Sequence, residues 1–280
     1  MGDCSHGVMA SGRSMARSTP PRIGFRVACS LWLAWTLTLQ GELDEAAIRN
    51  RDGLALAHRH GDAFSLAWAY CGVGVSQQLF GDWAATAEAA RLADEHGFPY
   101  VLGMATANRG WALMMQGKRE AGTAMLREGV WMVERTGAAL VRPSYLGMLA
   151  VADVMEGNRE SGVARLDEAL REVERTGERF QKATLLIGKS RLLTGGSDSR
   201  SSRADETEAC LRRALDVAHA QGARLLELRA ALALARHCRV RGRTAEARAL
   251  LTAAHAWFVN RPPATPEIAA AHQLLAELQV

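Results

Sequence analysis

The stretch ATLLIGKS, residues 183–190, lies one residue away from the pattern of a phosphate-binding loop. That pattern is G-x-x-x-x-G-K-[ST], in which backbone N–H groups surround the phosphates and the lysine contacts them. Here Ala183 stands in place of the first glycine, and Leu and Ile precede Gly188. A working loop follows a strand and has a glycine-rich backbone, whereas this stretch has the apolar spacing of a helix. We therefore predict no nucleotide site here and no bound cofactor.

The other residues capable of chemistry do not have the spacing of a metal or catalytic site. His58 and His60 are two residues apart and His237 adjoins Cys238, so neither pair shares a helix face. Zinc ligands on one helix stand at i and i+4. The nucleophilic motif G-x-S-x-G is also missing from the sequence. The sequence predicts that the chain is not an enzyme and binds no metal.

The composition is that of a soluble helical protein. Of the 280 residues, 48% are hydrophobic and 23% are charged, and most belong to strong helix-forming types. The 34 basic and 30 acidic residues are spread along the chain, unlike the basic stripe of a nucleic-acid-binding protein. The apolar run 27–39 is too short to span a membrane; it has the length of a signal-peptide core, but no cleavage site follows it. The five cysteines form no C-x-x-C pair. We predict a cytoplasmic protein with buried reduced thiols that binds neither nucleic acid nor membrane.

Glycines recur at nearly constant intervals, and each follows an apolar segment of helical periodicity. The two series are Gly41, Gly81, Gly117, Gly157 and Gly61, Gly97, Gly137, Gly177. Successive intervals are 36 or 40 residues, which is typical of helix pairs in a repeat protein. A glycine in the left-handed conformation commonly ends a helix. The series therefore predicts helix, turn, helix and turn, repeated along the chain.

Small residues stand seven places before the turn glycines, two helical turns back. They are Ala34, Gly74, Gly110, Ala150, Gly188 and Ala235. A small side chain is needed where two helices of a hairpin approach closely, because packed interiors leave no spare volume. We therefore interpret the glycine of the GKS stretch as a helix-packing position. The pattern predicts an all-α fold, an α-solenoid of about six helix pairs.

The predicted repeat domain covers residues 23–280. Residues 1–22 are polar and rich in Gly, Ser and Pro, and we predict that they form a disordered tail. Residues 195–204 are rich in Ser and Gly, and we predict that they form a mobile loop inserted in the fifth repeat. The first helix is apolar on nearly all sides, so the tail, a partner or upstream chain must cover it.

The repeats resemble the tetratricopeptide repeat. That repeat has a small residue at its eighth position, a turn glycine at its fifteenth and alanine at its twentieth and twenty-seventh. The alanines that match these last two positions are Ala46, Ala247, Ala169, Ala214 and Ala254. Gly122 and Gly162 replace the twentieth alanine, the usual closing proline is missing, and the intervals exceed the ~34 residues of that repeat. The resemblance implies a divergent, lengthened form of the repeat.

The C-terminal third has a narrower resemblance, carried by ELRAALALAR at 227–236 and GRTAEARALL at 242–251. These phrases are similar to the tetratricopeptide region of large bacterial signalling proteins. Such proteins join an AAA-type ATPase to a class III adenylate or guanylate cyclase domain, or to a transcription-regulator domain. The resemblance extends over nearly residues 25–280 and implies a non-catalytic interaction or regulatory module. In that family the ATP site and the cyclase metal ligands lie upstream, and this chain contains none of them.

A concave binding surface follows from the resemblance. In a tetratricopeptide superhelix the first helix of each pair presents its second, fifth, ninth and twelfth positions there, and these share one helix face. Repeats one to three place mostly apolar side chains at these positions: Trp35, Trp68, Val75, Gln78, Met104, Trp111 and Met114. Repeats five and six place basic side chains there: Lys182, Lys189, Arg229, Arg236 and Arg239.

Such a surface predicts a protein partner, because tryptophan and arginine are common binding anchors. The partner is an acidic or amphipathic peptide, or a neighbouring domain of a larger parent protein. A small ligand bound in the apolar part is the alternative function. Two structural alternatives also remain: the tryptophans pack between repeats, and the basic residues form a solvated face.

Overall fold

The computed structural model describes residues 23–77, 84–194, 201–260 and 265–278. Within these ranges the chain forms thirteen α-helices and two short 3₁₀ turns, Arg179–Gln181 and Ala256–Phe258, and no strand. In chain order the helices are α1 (Phe25–Gln40), α2 (Leu43–His60), α3 (Ala63–Gln77), α4 (Ala84–Glu95), α5 (Pro99–Met115), α6 (Arg119–Arg135), α7 (Arg142–Met155), α8 (Arg159–Thr176), α9 (Lys182–Thr194), α10 (Ser201–Ala220), α11 (Arg224–Val240), α12 (Thr244–His255) and α13 (Pro266–Glu277). The all-α fold predicted from the sequence is confirmed.

Glycine ends the helices at the predicted turns. Gly41 follows α1 with a φ of 82° and Gly61 follows α2 with a φ of 80°. The left-handed conformation has no steric cost for glycine, and it lets the N–H of Gly41 donate to the carbonyl of Thr38 at 3.2 Å. Seven of the eight predicted turn glycines have positive φ. The eighth, Gly81, lies outside the described residues.

The helices form two layers because successive helices differ in the number of apolar faces. An even-numbered helix such as α8 buries one stripe, made of Gly162, Leu166, Ala169 and Val173, and this spacing is that of a single helix face. Odd-numbered helices such as α11 bury two sides. Each odd helix packs along the even helix that follows it, and odd helices also contact one another from α1 to α13 in order. The result is an α-solenoid of six helix pairs, closed at the C-terminal end by α13.

The third pair, α5 and α6, has the closest backbone approach described. A Cβ added at Gly122 of α6 would lie 2.6 Å from the backbone nitrogen of Met114 in α5. A Cβ at Gly129 would overlap the backbone nitrogen of Ala107 and lie 2.7 Å from its Cα. Gly110 on α5 faces α6 in the same way, with its Cβ position 2.7 Å from the carbonyl oxygen of Gly122. The two helices therefore meet backbone against backbone, as the small residue predicted at Gly110 requires.

Gly188 behaves differently from Gly110. The whole GKS stretch is helical, within α9, as the sequence predicted. A Cβ added at Gly188, however, would lie 3.8 Å from the side chain of Leu166, an ordinary van der Waals distance. The interpretation of Gly188 as a position where two helices approach closely is therefore wrong. An alanine would fit at this position without displacing its neighbours.

The inner layer closes on itself, because α1 contacts α11. At this seam the ring of Phe258 lies 3.0 Å from the Cβ position of Gly41, in the turn after α1. Leu39 packs against the buried cluster that contains Leu226, and Leu43 against the cluster that contains Phe258. The sixth repeat thus covers the end of the first helix, which the sequence left without a neighbour. The other end of α1 stays open, where Phe25 is 81% exposed.

Two predicted segments fall partly or wholly outside the described residues. The predicted tail, 1–22, lies outside them entirely. Of the predicted loop 195–204, residues 195–200 lie outside them, and α10 begins at Ser201. The cysteine prediction needs one correction: Cys71, Cys210 and Cys238 are buried, but Cys29 is exposed.

Candidate binding site on the inner face

Odd-numbered helices form a cavity of about 150 Å³ on the surface that faces away from the even-numbered layer; we call this surface the inner face. Helices α1, α3, α5 and α7 each contribute to the walls. The main wall residues are Trp35, Trp68, Val75, Met104, Tyr145 and Met148. Among the described residues, the walls contain no Asp, Glu, Lys, Arg or His. The cavity is therefore an apolar, uncharged space shared by four repeats.

Trp68, the aromatic wall residue of repeat two, packs in a group of aromatic rings from repeats two and three. Trp68 stacks on Tyr100, with ring centroids 5.8 Å apart and an interplanar angle of 29°. Phe64 meets Phe98 edge to face at 5.1 Å. Offset stacking and edge-to-face contacts are the favoured geometries of aromatic pairs. These contacts hold the indole of Trp68 in a fixed orientation at the cavity.

Three residues of the cavity walls have buried polar atoms that lack good hydrogen-bond partners within the described structure. Trp35 Nε1 and Ser144 Oγ are buried without a partner. Asn108, which is only 4% exposed, donates through Nδ2 to Cys71 Sγ at 4.0 Å, a long and weak contact. Burial raises the pKa of Cys71 to about 12, although the hydrogen bond from Asn108 opposes this. The thiol is therefore neutral, and the polar groups at the cavity are all uncharged.

Val141 forms part of the cavity rim with an unusual backbone. Its φ is 58°, in the left-handed region that a β-branched residue rarely adopts. Its N–H donates to Glu178 Oε1 at 3.1 Å, which links the start of α7 to the turn before α9. Burial raises the pKa of Glu178, while the hydrogen bond from Val141 lowers it. The strained residue is held in place by contacts from the next repeat.

The structure brings four of the seven apolar candidates together at the cavity: Trp35, Trp68, Val75 and Met104. Met114 is 2% exposed and belongs to the core between α5 and α6, so its predicted place on the binding surface is wrong. Trp111 is half-buried and outside the cavity walls. Gln78 lies outside the described residues.

Sequence reasoning missed the contribution of the fourth repeat. Ser144, Tyr145 and Met148 of α7 line the cavity, as does Phe180 of the following 3₁₀ turn. The same count from Gly157 places Ser144 at the second position of its repeat, so the signal was present in the sequence. Phe180 precedes its helix, and no repeat position predicts it.

Lys182 and Lys189 do not reach the inner face. Lys182 pairs with Glu174 at 2.6 Å, and Lys189 pairs with Asp167 and Glu206 at 2.9 and 2.8 Å. These acidic residues belong to α8 and α10, in the outer layer. The predicted orientation of the two lysines is therefore wrong.

The reason is a shift of register in the fifth repeat. Two small buried residues in α9, Ala183 and Ser190, are seven apart, like Gly103 and Gly110 in α5. The packing positions of α9 therefore lie two residues later than a count from Gly195 predicts. The ninth position then falls on Arg191 in place of Lys189.

Three arginines form a basic group on the inner face of repeats five and six: Arg191, Arg229 and Arg236, the arginine cluster. Desolvation of the Arg191 guanidinium, together with the charges of Arg229 and Arg236, lowers the pKa of Arg191. The charge of Glu267 acts in the opposite direction. The residue as a whole is exposed. Arg229 pairs with Glu267 of α13 at 2.7 Å. Arg239, the remaining basic candidate, pairs with Glu277. The cavity walls in repeats one to four are thus apolar, whereas repeats five and six carry arginines, two of which pair with acidic residues of α13.

Comparisons with known proteins give structural similarity only. No protein-family model matches the sequence, and no curated protein sequence matches it. The structure is similar to a Signal Transduction ATPase with Numerous Domains protein with a tetratricopeptide repeat sensor from Pyrococcus horikoshii, at 14% identity and a TM-score of 0.48. That match covers 92% of this chain and 39% of the ATPase chain.

Two further structures are similar over most of the chain. Yeast Tom70 matches at 13% identity and a TM-score of 0.47, covering 93% of this chain and 67% of that one. The tetratricopeptide repeat domain of P58(IPK) matches at 12% identity and a TM-score of 0.22, covering 90% of this chain and 80% of that one. The fold assignment itself rests on the six helix pairs described above.

No group of three or more His, Cys, Asp and Glu residues within the described ranges is arranged to hold a metal ion. No helix in the described part of the chain is long and apolar enough to cross a membrane. His58 contacts Tyr70 OH at 3.3 Å, and His60 pairs with Asp62 at 2.7 Å. The two histidines thus face different neighbours, as their spacing predicted.

The outer surface carries an ion-pair network centred on Glu208 of α10. Arg243 pairs with Glu208, Arg212 pairs with it at 2.8 Å, and Arg241 lies 3.6 Å away. Hydrogen bonds from Arg243 and Arg212 lower the pKa of Glu208 to about 2, against the opposing effect of burial. The network joins α10 to the turn between α11 and α12.

This carboxylate predicts a dependence of stability on pH. The folded-state pKa lies below the ordinary value of 4.5, so the stabilisation is complete above about pH 5 and is lost as pH falls toward 2. With an allowance for solvent screening, we expect Glu208 to account for a loss of about 1 kcal/mol in unfolding free energy between about pH 7 and about pH 3.5. Urea denaturation of the wild type and Glu208→Gln measures this difference. An exposed control is Glu128→Gln, and equal pH dependence in all three proteins would contradict the prediction.

Proposed function

We propose that the chain is a non-catalytic helical-repeat binding module that belongs to, or derives from, a bacterial signalling protein of the ATPase and cyclase kind. The observation that carries the binding function is an inner face with an apolar cavity in repeats one to four and the arginine cluster in repeats five and six. The relation to the signalling proteins rests on the phrases at 227–236 and 242–251. In this proposal residues 23–280 form one repeat domain in the cytoplasm, since the cysteines form no disulfide motif.

The partner is an amphipathic, acidic protein segment or a neighbouring domain. An apolar side chain of the segment enters the cavity, and its carboxylates meet the arginine cluster. Complementary charge accelerates association and selects among partners, while buried aromatic contacts supply most of the affinity. Contact between the first and sixth repeats keeps the inner face in one shape, which lowers the entropic cost of binding.

Charge reversal tests the use of the inner face. The partner is captured from an extract of the source cells, identified and purified, and its affinity for the full chain is then measured. We expect the double variant Arg191→Glu/Arg236→Glu to bind about tenfold or more weakly, because close like charges oppose the acidic segment. The loss is expected to be greater at about 0.01 M than at about 0.15 M ionic strength, where charges are screened.

The matched control reverses two arginines of the outer layer. Arg119 of α6 and Arg248 of α12 are exposed and change the net charge by the same amount. The variant Arg119→Glu/Arg248→Glu is expected to keep its affinity for the partner. Equal losses in both double variants would show that only net charge matters, and would contradict binding through the inner face.

A second candidate function is the sensing of a small ligand, favoured by the cavity itself. A concave apolar space with a few convergent polar groups is the usual form of a ligand site. Here the apolar and aromatic walls come from four repeats, so a ligand in the cavity would contact helices α1, α3, α5 and α7 together.

A further inference from the structure

The arginine cluster joins the positive charges of two neighbouring inner helices, α9 and α11. Ile187 of α9 belongs to the same buried cluster as Ala230 of α11. Arg191 follows Ile187 by one helical turn, and Arg229 directly precedes Ala230. Arg236 lies two turns after Arg229, on the same face of α11. The charges of Arg229 and Arg236 both act on Arg191, so the three side chains meet at one part of the inner face.

Arg191 lies in a concave part of this surface. Its side chain is exposed to solvent, yet its guanidinium is desolvated by the surrounding protein. Both observations hold together where water reaches a group that has protein atoms on several sides, as on the floor of a groove. A ligand can enter such a place, and electrostatic attraction is stronger there than on a convex surface because less water screens it.

Positive charge exceeds negative charge at the cluster. Glu267 of α13 accepts hydrogen bonds from Arg229 at 2.7 and 2.8 Å. Arg191 and Arg236 form no ion pair with a described residue. Glu277, on which the charge of Arg236 also acts, is occupied by an ion pair of its own. Two positive charges of the cluster therefore remain unpaired within the described part of the chain.

A ligand that complements this site carries two negative charges on one small group. A phosphate monoester has a charge of about −1.5 to −2 near neutral pH and three acceptor oxygens. Arginine binds such oxygens through two parallel N–H donors. A carboxylate has one charge and two oxygens, so a single carboxylate would leave one of the unpaired guanidinium groups without compensation.

We infer that Arg191 and Arg236 bind the phosphate of a phosphate monoester at the inner face of repeats five and six. The inference rests on the proposed function, in which the arginine cluster receives the acidic part of the partner, and it specifies the acidic group. A phosphorylated side chain of the partner and a phosphorylated small molecule present the same group. Glu267 competes with this phosphate for Arg229.

Two probes with the same ring test the ligand class on the full chain. Phenyl phosphate is doubly charged at about pH 7.5, whereas benzoate carries a single charge. Isothermal titration calorimetry measures both affinities at about 0.05 M ionic strength, where screening is incomplete. We expect phenyl phosphate to bind about tenfold more tightly than benzoate. Its affinity is expected to fall about threefold or more at about pH 5, where it loses one charge. Equal affinities for the two probes would overturn the inference.

Variants locate the phosphate. Arg191→Gln/Arg236→Gln is expected to lower the affinity for phenyl phosphate about tenfold or more. The matched control Arg119→Gln/Arg248→Gln, in the outer layer, is expected to keep it. Glu267→Gln removes the competing carboxylate and is expected to raise the affinity about threefold, a gain that damage to the fold would not produce. Thermal unfolding without probe verifies that each variant folds. Equal affinity in the two double variants, or no gain in Glu267→Gln, would overturn the site.

The outcomes separate this inference from the proposed function. Once phenyl phosphate binds, phosphatase treatment of the purified partner identifies the source: a loss of affinity of about tenfold or more assigns the phosphate to the partner, and an unchanged affinity assigns it to a small molecule. If phenyl phosphate does not bind, but the partner depends on Arg191 and Arg236 in the charge-reversal experiment, the binding module stands and the phosphate site fails. If phenyl phosphate binds, but the charge-reversed chain keeps its partner, the phosphate site stands and the binding module fails.

Discussion

Gly129→Ala is expected to lower the free energy of unfolding by about 3 kcal/mol, at the upper end of the usual cost of overpacking. The added methyl group would overlap the backbone nitrogen of Ala107 and lie 2.7 Å from the carbonyl oxygen of Gly103. Backbone atoms cannot rotate away as a side chain can, so α5 and α6 must separate along their length. The change also gains some helix propensity, up to about 1 kcal/mol, which offsets part of the cost.

The control for this prediction is Gly188→Ala, in which the same change meets only the side chain of Leu166 at 3.8 Å. There we expect no loss, and a gain of about 0.5–1 kcal/mol from lower entropy of the unfolded chain. Thermal unfolding separates the two cases, since a loss of about 3 kcal/mol lowers the midpoint by roughly 6–12 °C in a domain of this size. Similar midpoints for both variants would contradict the close approach of α5 and α6.

Phe258→Ala is expected to cost about 3–5 kcal/mol and to loosen the first repeat as well as the last. Phe258 is fully buried in the C-terminal cluster, and its ring contacts the turn at Gly41. Its removal leaves a cavity at the seam between the first and sixth repeats. In an open solenoid each repeat depends only on its neighbours, so damage at one end stays local. Here the seam extends the effect to α1 and α2.

Hydrogen exchange tests this extension directly. In Phe258→Ala we expect faster exchange of amides in α1 and α2 as well as in α11 and α12, with α5 and α6 least affected. The control is Val259→Ala, one residue on, because Val259 is 59% exposed and its truncation opens no cavity. Faster exchange confined to α11–α13 would show that the seam contributes nothing to the first repeat.

Much of this fold was predictable because turns and close helix contacts depend only on the residues that form them. A turn glycine needs only its own φ, so its position is visible in the sequence, as at Gly41 and Gly61. Close helix packing is visible in the sequence at Gly110 for the same reason, because only the residue at the contact must be small. The all-α fold and the six helix pairs were predicted from these turn glycines and small residues, which recur along the chain.

The site was less predictable because it depends on register and on distant contacts. Counting from Gly195 misplaced Lys182 and Lys189, since the fifth repeat departs from the spacing of the others at this turn. Because of this error Arg191 was not predicted on the inner face, although it occupies the position expected for Lys189. Contact between Gly41 and Phe258 depends on the summed rotation of all six repeats. No single repeat contains that information.

The glycine contact between α5 and α6 has a mechanical consequence. Side chains between two helices can change rotamer and let the helices slide, but two backbones in direct contact have no such freedom. We therefore expect the third repeat to be the most rigid helix pair among the described residues. Because α5 also lines the cavity through Met104 and Asn108, one wall of the cavity belongs to this tightly packed pair. We therefore expect changes in the shape of the cavity to come from the walls that α1, α3 and α7 contribute.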